Sequence, residues 1–94
     1  MKCETGPIDR QFGGTDWIVY ACDDGGSVVI VSKAGNPASP FYFVASPKDG
    51  SYVLNGEGTG SKVASDAAGD AINALGSAGF RQLFDAASHV KRAN

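Results

Sequence analysis

Ser27-Val28-Val29-Ile30-Val31-Ser32-Lys33 decides the fold. Four consecutive β-branched residues favour a pleated chain, where branched side chains pack on their neighbours, over a helix, where they crowd the preceding turn. Neighbouring side chains in a strand point to opposite faces. The run therefore places large apolar groups on both faces of the sheet it enters.

Working outward, Asp16-Trp17-Ile18-Val19-Tyr20-Ala21-Cys22 reads as the preceding strand. Asp23-Asp24-Gly25-Gly26 lies between the two, and its Asp-Gly dipeptide suits the positive φ of a tight turn. These strands are expected to form an antiparallel hairpin. Beyond the turn-rich stretch Ala34–Pro40, Phe41-Tyr42-Phe43-Val44-Ala45-Ser46 gives a third strand and Ser51-Tyr52-Val53-Leu54-Asn55 a fourth. Pro47-Lys48-Asp49-Gly50 between them fits a type I turn followed by a left-handed Gly. Residues 1–15 carry Gly6-Pro7 and Gly13-Gly14 and few periodic apolar positions. They read as an irregular arm anchored by Ile8 and Phe12.

The chemistry changes after Gly56-Glu57-Gly58-Thr59-Gly60. Ala64, Ala67, Ala68, Ala71, Ile72 and Leu75 recur at helical spacing, with Ser61 as N-cap and Gly76 as stop. A second helix from Ser77 gathers Phe80, Leu83, Phe84, Ala87 and Val90 on one face. The predicted architecture is α+β: a four-stranded antiparallel β-meander followed by two C-terminal helices packed on one sheet face. One domain spans residues 1–94, divided into the arm (1–15), the meander (16–55) and the helices (61–92).

Composition narrows the function classes. The net charge is −2 at pH 7 and the basic residues are scattered. Only Lys91 and Arg92 adjoin, and they suit the negative end of a helix dipole. A nucleic-acid partner would want a basic stripe, so none is expected. No apolar run reaches the length of a membrane-spanning helix. Cys3 and Cys22 lack the spacing of a redox or zinc motif and are expected to pair, as in a small exported domain. Met1-Lys2-Cys3-Glu4 runs into polar sequence, not an apolar leader core. The chain thus reads as the mature part of a periplasmic or secreted protein behind an added Met1, or alternatively as a complete cytoplasmic one.

Catalytic signals are weak. Gly56-Glu57-Gly58-Thr59-Gly60-Ser61-Lys62 sits where a nucleotide-binding loop would, but Ser61 and Val63 stand where a P-loop needs Gly and a hydroxyl. What remains is an anionic-ligand site built on Gly58, Gly60, Ser61 and Lys62. Asp23, Asp24 and Asp49 do not have calcium-loop spacing, and His89 has no nucleophile or second ligand in sequence reach. No cofactor, metal site or catalytic residue is expected. Because helices on one side leave the other sheet face apolar, the aromatic strand residues Trp17, Tyr20, Tyr42 and Tyr52 are the candidate partner-binding set. Tyr42 and Tyr52 are expected to be neighbours across the last turn.

The stretches Phe12-Gly13-Gly14-Thr15 with Trp17, Cys22 with Asp24-Gly25, Gly35–Phe43 and Gly56–Lys62 together resemble a group of small exported bacterial proteins of uncharacterised function. The resemblance implies an exported setting and carries no activity. The first functional expectation is a non-enzymatic interaction module that recognises a protein partner or its own copy through the sheet face. The alternative is a small anionic-ligand-binding domain or enzyme using the Gly56–Lys62 loop.

Overall fold

The computed structural model describes residues 2–90. Its order is β1 (Thr5–Phe12), β2 (Thr15–Ala21), β3 (Val28–Ser32), β4 (Phe41–Lys48), β5 (Ser51–Gly58), α1 (Lys62–Asn73) and α2 (Gly76–Ser88). The strands form one antiparallel meander, β1-β2-β3-β4-β5. The class is α+β as the sequence indicates, but the sheet has five strands where four were expected.

The extra strand is the supposed irregular arm. Thr5–Phe12 pairs with β2 through a two-residue turn at Gly13-Gly14, where φ is 60° and 81°. Positive φ at both positions is the requirement of a type I′ hairpin, and only glycine meets it without steric cost. Gly13 has a second duty, because a Cβ there would stand 2.6 Å from the Ala67 carbonyl carbon of α1. The turn and the helix are therefore in backbone contact. Near the start of β1 the register slips between Thr5 and Ile8, a bulge at Gly6-Pro7.

The last hairpin also differs from expectation. Lys48 pairs with Ser51, so the loop is only Asp49-Gly50, with φ of 52° and 80°. Pro47 belongs to β4 and β5 runs on to Gly58.

The core lies between one face of the sheet and the helices. Trp17, Val19, Val28, Ile30, Phe43 and Ala45 are buried there against Ala68, Ile72, Phe80, Leu83 and Ala87. Trp17 is wholly buried, edge-on to Phe41 with ring centroids 6.3 Å apart and tilted against Phe43 at 5.3 Å. Its indole N–H donates to Thr15 Oγ1 at 2.8 Å, which satisfies the one polar group that burial would otherwise penalise. The small side chains of α1 let it lie close to the β1–β2 end, while α2 supplies the large ones and crosses β1, β2, β3 and β5. Ser61 caps α1, its Oγ accepting from the Ala64 N–H at 3.3 Å. His89 closes α2 by donating from Nδ1 to the Asp85 carbonyl at 2.6 Å. The dipole role read for Lys91 and Arg92 falls outside the described residues.

Two polar devices hold the connections. In the β2–β3 turn, Asp24 Oδ1 accepts from the N–H groups of Gly26 (3.0 Å) and Ser27 (2.8 Å), and Oδ2 accepts from Ser27 Oγ. The Ser27 bonds lower the Asp24 pKa from its ordinary 3.8, with the hydroxyl contributing most and partial desolvation opposing. In the β3–β4 loop the buried Asn36 donates to the Asp16 carbonyl at 2.7 Å and accepts from the Ala38 N–H at 2.8 Å. At the N-terminus, Cys3 and Cys22 are joined by a disulfide. Lys2 reinforces it, donating its N–H to Asp23 Oδ1 at 3.0 Å and accepting the Asp23 N–H at 2.8 Å.

Two outcomes test these attachments. The bond closes a loop across a sequence separation of 19, so a Cys3→Ser, Cys22→Ser double variant should lose about 3 kcal/mol of unfolding free energy in urea. An unchanged midpoint would mean that the β1 ladder and Lys2 hold the arm unaided. For Asp24, the lowered folded pKa means that its stabilisation is present above about pH 4 and is lost as pH falls below it. The stability gap between wild type and Asp24→Ala should be flat above about pH 5 and close on acidification.

Candidate functional site

The register places every strand side chain on one of two faces. Opposite the helices, two cross-strand rows run over the sheet. One is Asp9, Ile18, Val31, Tyr42 and Glu57; the next is Tyr20, Val29, Val44 and Asn55. Val53 follows above them, across from Ser46. No described element lies over this face. Ile18, Tyr20, Val29, Val31 and Val44 are half-buried, while Tyr42 and Val53 are each 42% exposed.

The rim is polar and internally paired. Asp9 meets Lys33 at 3.0 Å, Gln11 donates to Asp16 Oδ1 at 2.9 Å, and Tyr42 donates its hydroxyl to Glu57 Oε2 at 2.9 Å. The centre is apolar and the edges are charged, the pattern of a protein-recognition patch. At the lower end of the face a groove of about 470 Å³ opens between Val31, Pro40, Tyr42 and Glu57. The Tyr42 hydroxyl titrates above its ordinary 10.0, first because it is hydrogen-bonded to Glu57 and second because of that carboxylate's charge.

Of the four aromatic residues named from sequence, the structure puts two on this face and two away from it. Tyr20 and Tyr42 lie there. Trp17 is the centre of the core, and Tyr52 faces the helices, stacked on Phe80 at 5.0 Å with its hydroxyl donating to the Gly26 carbonyl at 3.1 Å. Tyr42 and Tyr52 are consequently on opposite faces, a correction to their expected adjacency. The loop length explains it: with Lys48 opposite Ser51, Tyr42 pairs with Glu57 and Tyr52 with Pro47. The aliphatic members Ile18, Val29, Val31, Val44 and Val53 were not singled out from sequence. Their signal was the unbroken apolar run itself, whose alternate residues must face away from any single helical layer.

The Gly56–Lys62 segment is less loop-like than its composition suggests. Gly56 and Gly58 are in β5 opposite Phe43 and Phe41. The Thr59 N–H donates to the Pro40 carbonyl (3.0 Å) and the Ser61 N–H to the Pro37 carbonyl (2.9 Å). A Cβ on Gly60 would collide with the Ala38 carbonyl oxygen, so that glycine is needed for close backbone passage. Lys62 Nζ stands 3.5 Å from Asp66. The residues named for an anionic ligand therefore lie together, with two of the local amides and the Ser61 hydroxyl engaged within the chain.

Among the described residues no group of three or more His, Cys, Asp or Glu is arranged to hold a metal, and no helix is long and apolar enough to cross a membrane. No protein-family model matches this chain, and comparison with curated proteins and with solved structures gives no match either.

The Tyr42–Glu57 contact gives a direct check on the face's geometry. Glu57→Gln removes the charge and should bring the Tyr42 titration down toward 10, followed through its ring resonances in NMR. No movement would place the two side chains apart in solution.

Proposed function

We propose that the protein is a non-enzymatic interaction module of the periplasm or secreted space, and that the open sheet face is its recognition surface. The observation that carries this reading is the row structure. Seven apolar or aromatic side chains, Ile18, Tyr20, Val29, Val31, Tyr42, Val44 and Val53, share a face that no described element covers. Contiguous exposed apolar surface rimmed by polar groups is characteristic of association sites. The exported setting is supported by the intramolecular disulfide, since such bonds persist mainly in oxidising compartments.

The occupant we favour is a second copy of the chain. At the rim, Asp9 is neutralised by Lys33, while Glu57 keeps its charge and accepts the Tyr42 hydroxyl. The row Tyr20, Val29, Val44 and Asn55 carries no charge, so two identical faces can meet across it without like charges at the centre. Face-to-face sheets pack about 10 Å apart with interdigitating side chains, which would place the helices on the outside of a four-layer dimer.

Light scattering over a micromolar-to-millimolar range tests this with the disulfide intact. Wild type should dimerise, and Val31→Lys should weaken dimerisation about tenfold or more by burying an unpaired ammonium. Val63→Lys, on the exposed side of α1 at 82% exposure, should have no effect. A wild type that stays monomeric at millimolar concentration, or a dimer insensitive to Val31→Lys, would overturn self-recognition through this face.

A further inference from the structure

A second surface, on the other side of the sheet, joins three independent features at one place. The first is a cleft beside the core, floored by aromatic rings. Gly56 and Gly58 face the helices opposite Phe43 and Phe41, and a Cβ on Gly56 would come within 2.7 Å of the Phe43 ring and 2.8 Å of the Phe41 ring. The rings occupy the space a side chain at Gly56 would take, and with centroids 4.9 Å apart they floor a cleft between β5 and α1. The cleft encloses about 410 Å³ against Ser65, Asp66, Gly69 and Asp70, and an adjoining cavity of about 450 Å³ continues along Gly58 and Gly60 to Lys62.

The second feature is an unprotected sheet edge. In a two-residue hairpin the residues flanking the loop exchange both hydrogen bonds, so Ser51, Val53, Asn55 and Glu57 bond to β4. The Thr59 N–H bond to the Pro40 carbonyl at 3.0 Å is the next rung of the same ladder and fixes this phase. The backbone groups of Tyr52, Leu54, Gly56 and Gly58 therefore point away from the sheet. The other edge, β1, is blunted by Pro7 and a bulge. β5 has neither device against strand addition.

The third feature is charge. Asp66 is paired with Lys62 at 3.5 Å, but no cation among the described residues reaches ion-pair distance of Asp70. Glu57, the residue between Gly56 and Gly58, turns its carboxylate to the opposite face, where it accepts from Tyr42. Two carboxylates, Asp66 and Asp70, against the one Lys62 ammonium leave the cleft negative.

We propose that the β5 edge and this cleft form a strand-addition site for an extended peptide segment carrying an arginine. The peptide main chain pairs with the outward groups of Gly56 and Gly58, as in other edge-strand recognition. Its arginine passes the side-chain-free Gly56, rests its guanidinium on the half-buried Phe41 ring, and directs its N–H groups at Asp70 and Asp66. Guanidinium suits both demands, since it stacks on aromatic rings and bonds carboxylates in a fork. The site is separate from the open face and does not depend on the reading proposed for it.

The experiment is an NMR titration of the ¹⁵N-labelled, disulfide-intact protein with acetylated and amidated Val-Thr-Arg-Thr-Val. Two control peptides replace Arg by citrulline, its uncharged near-isostere, and by Glu. The Arg peptide should give saturable shifts at the amides of Leu54, Gly56, Gly58 and Asp70, and the controls should bind several-fold more weakly. Asp70→Asn, at an exposed position with no described ion pair, should keep the fold and weaken the Arg peptide about fivefold, while the citrulline peptide is unaffected. Because Gly56→Val would drive a side chain into the Phe43 and Phe41 rings, Asp70→Asn is the deciding variant. Absence of β5 shifts at millimolar peptide, equal binding of all three peptides, or indifference to Asp70→Asn would each overturn the proposal.

Discussion

A strand residue must face one side of its sheet or the other, and this chain has helix enough to cover only one side. That constraint organises the molecule. The covered face collects Trp17, Val19, Val28, Ile30, Phe43 and Ala45 and closes them under Ala68, Ile72, Phe80, Leu83 and Ala87. The other face inherits the alternate residues of the same apolar runs, and hydrophobic side chains left in water there favour association. The core and the open apolar face thus both draw on one segment, Val28 to Val31.

The helical layer is itself limited by size. α1 is built from small side chains, so it can touch the Gly13 backbone and lie over Phe43 at Gly69, but it contributes little bulk of its own. α2 supplies Phe80 and Leu83 and reaches across most of the sheet. Between α1 and the β5 edge the two layers do not close, because Gly56 and Gly58 offer no side chains to meet the helix. A short chain buries a smaller fraction of its surface than a long one. Here the shortfall is concentrated at the open face and at that cleft.

Much of this order was legible in the residues. The β-branched and aromatic runs marked β2 to β5, and the Ala-rich periodicity with Ser61 marked α1. The arm was misread because β1 is an edge strand, which needs only backbone groups to pair. Its Asp9, Arg10 and Gln11 are exposed and carry no alternating apolar pattern. A signal was present in Gly13-Gly14, a dipeptide suited to a two-residue hairpin, with Phe12 and Trp17 flanking it on the covered side. The aromatic set was half misplaced for a related reason. Face assignment depends on loop parity, and a one-residue error in the Asp49-Gly50 turn exchanges the two faces of β5 relative to β4. Composition could show that Tyr52 was in a strand. Only the register could show that it stacks on Phe80.

The glycine-rich segment illustrates how one residue type serves different ends. Read along the chain, Gly56–Gly60 resembles a flexible cradle for an anion. In space, Gly60 lets the backbone pass the Ala38 carbonyl, while Gly56 lets the Phe41 and Phe43 rings and Gly58 lets the Pro40–Phe41 backbone pack directly against β5. The outward amides at Gly56 and Gly58 are accompanied by matching carbonyls in the same direction, so they offer a ladder and not a nest of donors alone. A ladder is satisfied by another main chain, and a nest by an anion. With Asp66 and Asp70 on the facing helix, negative charge at that place would repel an anion and attract a cationic side chain. Geometry and charge therefore both favour the proposed arginine-bearing strand over an anion at this edge.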